Sequence, residues 1–473
     1  VQADSPQWLK DRRFGEGIGV RTGDLELHWS LAGEAGYDSN YFLRTSMNQT
    51  GPGPNSCCAN GPPSAPVIPS IEFRLTPSLA ISTLGQQSRE GAGGEGQPPI
   101  AFRAAVSATY RDFIGISSDG NASQPQNDIS SNRNVSGAAD ARLDVLPGKP
   151  WAAAFSVNYA RTIQPNTIAA NPNLSFNSDS VGGTAELIAQ PGSGTLDWRL
   201  GGGYQATLFE QSQALGFNNG AALAYTRGRW GFRPRTALLY DGTASFLTYT
   251  NSSQAQNQGL VSSTPVRTRL GLTGLITNRF ALLVMGGWGA SFYSTSQNSK
   301  QPQFDAPIGQ AELKWFLSAS PGIAEASDLT LALSSIAVGY ARDFQNSYLG
   351  NFYTSDRGYL RLNYFFAGRV VLNLEGGVGA VEYPTMYWGP NVTPANQLRH
   401  AAFTDARADA TIFGEYRFTD TLGLNATFRY TENFSGTHDM PVVQFPPAGN
   451  PAPNFYDMAW TRLEAYAGFR WFM

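Results

Sequence analysis

The sequence predicts an all-β chain: one transmembrane antiparallel β-barrel of about eighteen strands in the bacterial outer membrane. Three observations carry this reading. Apolar and polar residues alternate with period two in segment after segment, which puts each set on its own strand face. The links between segments run short, then long, along most of the chain. No apolar run approaches the ~18 residues of a membrane-spanning helix.

Bulk composition agrees. The chain has 473 residues and a net charge of -3, with only 15% charged residues, against roughly 25% in soluble domains. Its 51 Gly, 20 Tyr, 28 Phe and 10 Trp favour strands and turns over helices. Near-neutral charge argues against nucleic acid as a partner and leaves the lipid bilayer as the main one. The chain opens at Val1 without an apolar leader, the form expected after signal-peptide removal. Residues 1–23 are expected to be a short periplasmic segment and residues 24–473 the barrel.

The strands follow in order. DLELHWSLAG, from Asp24, sets Leu25, Leu27, Trp29 and Leu31 against Glu26, His28 and Ser30. SIEFRLTPSLAIS opposes Ile71, Phe73 and Leu75 to Glu72, Arg74 and Thr76, and IAFRAAVSATYR opposes Phe102, Val106 and Tyr110 to Arg103, Ser107 and Arg111. TLDWRLGGGYQATL opposes Leu196, Trp198 and Leu200 to Asp197 and Arg199. WGFRPRTALLY reads as one strand, with Phe232, Pro234, Thr236 and Leu238 towards lipid and Arg233 and Arg235 inward. VRTRLGLTG puts Leu270 and Leu272 towards lipid and Arg267 and Arg269 inward. YRFTDTLGLNATFRY is two strands about the pivot TDT, with Leu424 and Phe428 towards lipid. TRLEAYAGFRWFM closes the series, opposing Leu463 and Phe469 to Arg462, Glu464 and Arg470.

Short links include PGKP, TNR, AGR and TDT, and long ones are rich in Asn, Ser, Gln, Pro and Gly. In outer-membrane barrels the short turns are periplasmic and the long loops extracellular. Trp151, Trp230, Tyr240, Trp288, Tyr293, Tyr416, Trp460 and Trp471 fall near segment ends, as girdles at the two lipid interfaces would. Closure is needed because an open edge in lipid leaves backbone groups unpaired at several kcal/mol each.

The inward parity carries the chemistry. Arg74, Arg103, Arg111, Arg199, Arg233, Arg235, Arg267 and Arg269 lie on it in the first part of the chain. Arg361, Arg407, Arg417, Arg429, Arg462 and Arg470 follow, while acids such as Glu72, Asp197, Glu312, Glu375, Asp409, Glu415 and Glu464 are fewer. Guanidinium forks bind carboxylate, phosphate and hydroxyl directionally and line anion pathways. Cross-strand charge pairing that merely fills the barrel is the competing account. Arg233, Arg235, Arg267 and Arg269 are expected to form one positive strip, with Asp241 the nearest acid.

No catalytic constellation emerges. His28, His400 and His438 are scattered, and a lumenal His28 reads as a polar wall residue before it reads as a base. No metal or cofactor is implied. Asp38 and Asn40 fit an Asx turn better than a calcium site. Cys57 and Cys58 are adjacent in an exported loop, where a vicinal disulfide is favoured over pairing with another chain.

GYDSNYFLRT (Gly36 to Thr45), the proline-interrupted EFRLTPSLAIS and the strand end SATYRDF resemble the β-barrel porin 2 family. The resemblance covers about the first 170 residues. It implies an eighteen-strand outer-membrane barrel accompanying exopolysaccharide or capsule synthesis. It also implies anionic polysaccharide as cargo and a periplasmic export protein as partner. A general diffusion porin, and a surface barrel whose lumen is blocked, are the alternatives.

Overall fold

In a computed structural model of the chain, eighteen long antiparallel strands close into one barrel. The structure describes residues 19–45, 67–83, 99–116, 129, 132–163, 176–191, 195–293, 301–317, 334–366, 369–389, 398–419, 421–437, 440–442, 454–456 and 458–473. Strands β1 to β6 are Leu25–Asp38, Ser70–Thr83, Ile100–Gly115, Asn134–Val145, Trp151–Thr162 and Ser178–Ala189. Strands β7 to β12 are Leu196–Phe209, Asn219–Arg233, Thr236–Tyr249, Ser263–Leu275, Phe280–Tyr293 and Phe304–Phe316. Strands β13 to β18 are Ser335–Ser347, Asn351–Phe366, Val370–Tyr383, Phe403–Arg417, Leu422–Phe434 and Trp460–Phe472.

Each strand pairs with its sequence neighbours, and β1 pairs with β18 from Ser30↔Phe472 to Asp38↔Glu464. The sheet therefore has no edge for lipid to meet. A three-residue strand, Val20–Thr22, hairpins onto the start of β1, so the boundary expected near residue 23 falls inside a turn. Pairing of β2 with β3 skips Thr76 and Pro77. Proline has no N–H to donate there, and a Thr76–Thr109 hydroxyl contact of 3.0 Å spans the gap.

Period-two alternation sorts the faces. Leu424 (49% exposed), Leu272, Leu270, Trp198, Phe428 and Phe469 point outward, while Arg470, one residue beyond Phe469, is 0% exposed. Trp151, Trp230, Tyr416 and Trp471 ring the short-turn end, and Trp288 stands outward towards the other end. Tyr293 does not join them. It is inward and buried in a cluster with Phe304, Ile308, Phe344 and Phe352.

The turns show why these segments reverse where they do. Thr277 and Thr419 hydroxyls accept backbone N–H groups two and three residues on, capping the turns before β11 and β17. The segment WGFRPRTALLY is not one strand. Its chain turns at Pro234–Arg235, with Arg233 paired to Thr236, because proline ends the ladder and presets the turn dihedral.

Candidate functional site: the lumen wall and its mouth

The interior divides into two walls of different chemistry. On β14 to β18, on β1 and β2, and at Arg111 of β3 the charges are paired. Arg74 grips Glu72 with two hydrogen bonds of 2.7 and 3.1 Å, and Tyr466 donates to the same carboxylate at 2.8 Å. Arg111 lies 3.6 Å from Glu72, and Arg429 lies 3.4 Å from Glu464. Arg462 holds Asp38 at 2.5–3.1 Å, and Arg470 and Arg417 share Glu415. Arg361 and Arg357 bracket Glu375 at 3.1 and 3.0 Å, and Arg407 donates to Asn433 at 2.8 Å. Burial without partners would be costly, so these carboxylates are what permits inward guanidiniums to be buried.

The wall formed by β7 to β10 is different. Arg199, Arg227, Asp241 and Arg269 stand directly opposite one another across four strands. One row away, Asp197 faces Arg229. In these two rows four arginines stand with two aspartates, and Asp343 of β13 reaches Arg269 at 3.9 Å. Arg227 and Arg269 share Asp241 at 3.2 and 3.4 Å, and Arg199 takes Asp197 at 3.2 Å. Arg229 makes no ion pair among the described residues, and neither does Arg103 on β3. The Arg227 side chain points inward yet is 57% exposed, so water reaches this face of the lumen.

Of the four arginines expected to form one strip, Arg267 and Arg269 lie on β10 and both reach Asp343 of β13, at 3.1 and 3.9 Å, whereas Arg233 and Arg235 stand at the rim. Arg233 is the last residue of β8 and Arg235 lies in the β8–β9 turn, both exposed at the rim. Arg227 and Arg229 take their places, and the sequence reading passed over them. The signal was present: TRGRWGF alternates in phase with Trp230 and Phe232, which face lipid.

The long-loop mouth is built differently. β12 pairs with β13 only from Gly309↔Arg342 to Phe316↔Ser335. Beyond that, Phe304–Ile308 pair only with β11, and Asp343–Ser347 only with β14. Pro307, lacking an N–H, lies in the stretch that β13 has left. The freed β13–β14 hairpin folds inward across the inner faces of β11 and β12. Phe344 stacks on Phe304 at 4.2 Å and covers Gly289, where an added Cβ would meet its ring at 2.6 Å. Farther round, Tyr348 at the hairpin tip packs on Phe209 and Phe217, both at 5.4 Å, and accepts from Asn219 at 3.0 Å.

Other loops join this roof. Asn351, at φ 71°, donates to the Gly259 carbonyl and accepts from the Val261 N–H, both at 2.9 Å. Arg399 donates to the Gln258 carbonyl at 3.3 Å and lies over Trp388. Burial lowers its pKa to about 10, which leaves it charged at neutral pH.

Residues singled out for other chemistry have local roles. His28 lies 3.2 Å from the Met473 carbonyl and 3.7 Å from Glu26. Asp38 accepts from the Asn40 N–H at 2.9 Å in an Asx turn, and its remaining capacity goes to Arg462. Cys57, Cys58, His438 and residues 1–18 lie outside the described residues.

A closed barrel with an apolar outer belt and a charged interior defines a transmembrane β-barrel of the bacterial outer membrane. No protein-family model and no curated protein matches the chain, so the likeness to β-barrel porin 2 gains no family match. Among solved structures it is similar to OpdQ of Pseudomonas aeruginosa, at 10% identity and a TM-score of 0.43, covering 96% of this chain and 99% of that one. It is similar to OccAB4 of Acinetobacter baumannii at 10% identity and 0.41, covering 94% and 98%. It is also similar to the FrpB iron transporter of Neisseria meningitidis at 7% identity and 0.44, covering 96% and 82%. The class rests on the closed wall and its lipid-facing surface, not on these likenesses.

Proposed function

We propose that the protein is a passive outer-membrane channel for small hydrophilic solutes, with its short turns in the periplasm and a preference for anions. The observation that carries this is the β7–β10 wall, where Arg227 and Arg229 face inward and remain water-accessible. Guanidiniums in excess of the carboxylates beside them, in a low-dielectric tube, attract anions and repel cations. The inward-folded β13–β14 hairpin narrows the mouth, which suits small solutes better than a polymer. The conduit for anionic exopolysaccharide, with a periplasmic export partner, has only the sequence resemblance behind it.

Single-channel recording in a planar bilayer tests the reading. Under a salt gradient the reversal potential should report anion preference, lost in a variant carrying Arg199→Gln, Arg227→Gln, Arg229→Gln and Arg269→Gln. Unchanged selectivity in that variant would refute the anion path. Absence of any conductance from the folded parent would favour a blocked surface barrel.

A further inference from the structure

Arg233 and Arg235, both exposed, create a different feature at the short-turn rim. Arg233 ends β8, Arg235 lies in the β8–β9 turn, and the neighbouring β10–β11 turn carries Arg279. The two turns are tied together. Arg235 Nη1 donates to Asn278 Oδ1 at 2.6 Å, and the Arg235 carbonyl accepts from the Leu275 N–H at 2.9 Å. All three arginines are exposed, and none makes an ion pair among the described residues. Turn chemistry alone needs Pro234 and Thr277 here, not three cations.

Next to them is an apolar surface. Trp230 (51% exposed), Phe232 and Ile276 project outward beside the turns, and Phe280 and Trp315 stack at 6.1 Å along the same edge. Outward aromatics at a strand end mark the lipid interface. The arginines therefore sit at headgroup depth, with acyl-chain surface on one side and water on the other. Guanidiniums on two turns tied together in that position match a phosphate by charge and by forked geometry.

We propose that Arg233, Arg235 and Arg279 form a headgroup site for an anionic phospholipid of the inner leaflet. The diester phosphate sits among the three guanidiniums, and the acyl chains lie along Trp230, Phe232 and Ile276. The placement in the inner leaflet rests on the periplasmic orientation of the short turns proposed above; the preference for an anionic headgroup does not.

Native mass spectrometry of the full chain in detergent, with phosphatidylglycerol or phosphatidylcholine added, tests the site. The parent should retain phosphatidylglycerol about tenfold better, a difference that exposed arginine–phosphate contacts can supply. The variant with Arg233→Gln, Arg235→Gln and Arg279→Gln should lose that preference. The corresponding triple Lys variant, which keeps the charge, should hold most of it. Equal retention of both lipids by the parent would overturn the proposal, as would a Gln variant that retains the preference. A Lys variant as defective as the Gln variant would assign the loss to misfolding of the turns and overturn it too. Competition by inorganic phosphate as effective as that by the lipid would show a free-anion site instead. Conductance selectivity should be untouched by the Gln variant, which separates this site from the β7–β10 wall.

Discussion

The Arg267 guanidinium on β10 meets the Asp343 carboxylate on β13 at 3.1 Å, although two strands stand between them in the wall. The same guanidinium donates to the Phe344 carbonyl at 2.5 Å and lies over the Phe344 ring. Gly289 and Ala306 occupy the inner face between the partners. Their lack of bulk leaves the trough in which the hairpin lies. The pair is thus a tether between wall and hairpin, and a lumenal arginine that looked free in sequence is neutralised from across the mouth.

Releasing that tether should widen the channel. Combining Asp343→Asn with Phe344→Ala removes the charged anchor and the ring that fills the trough. Single-channel conductance is expected to rise, with the strand content by circular dichroism unchanged. Conductance equal to that of the parent would mean that the hairpin does not set the constriction.

The two walls should answer substitution differently. Arg470 is fully buried against Glu415, and Arg470→Met would take from that buried carboxylate one of its two arginines, a loss of up to about 3–5 kcal/mol. Replacing both partners with Met should recover part of that loss, since the buried carboxylate goes with its buried partner and only the part-exposed Arg417 loses a contact. Arg227→Gln, at an exposed lumenal position, should stay within about 0.5 kcal/mol of the parent. Urea unfolding in lipid vesicles measures all three, and a costly Arg227→Gln would place that residue among the structural pairs.

Strand faces were legible because period two writes them directly, as in Leu424, Asn425, Ala426, Thr427 and Phe428. Turn chemistry was legible at TNR and TDT, where Thr and Asn or Asp stand together. At Phe232 to Leu238 the same alternation misled, because apolar and polar residues keep their phase straight through Pro234. The mouth was not legible at all. The pairing of Arg267 with Asp343 spans 76 residues and depends on β13 leaving β12. Nor does parity identify Tyr293 as a buried roof residue instead of an interfacial one, since that depends on what folds over it. Equally, parity could not separate all paired arginines from unpaired ones, because partners such as Asp343 for Arg267 and Glu464 for Arg429 lie on other strands.

The sharpest check on the faces uses two adjacent residues of β10. Leu272 faces outward, opposite Leu238 and Val284, and Thr273 faces inward, opposite Ala237 and Leu283. In a strand one step along the chain crosses the wall from lipid to lumen. Leu272→Arg would hold a guanidinium in hydrocarbon, at about 2–4 kcal/mol if the position is at the midplane. Thr273→Arg would place the same group among water and the charges of the β7–β10 wall, with little effect on folding and a shift towards anions in selectivity. Both variants are refolded into vesicles, unfolded in urea and recorded in a bilayer. Equal stability losses would show that the two positions share an environment, and would remove the basis for assigning any inward arginine to the lumen.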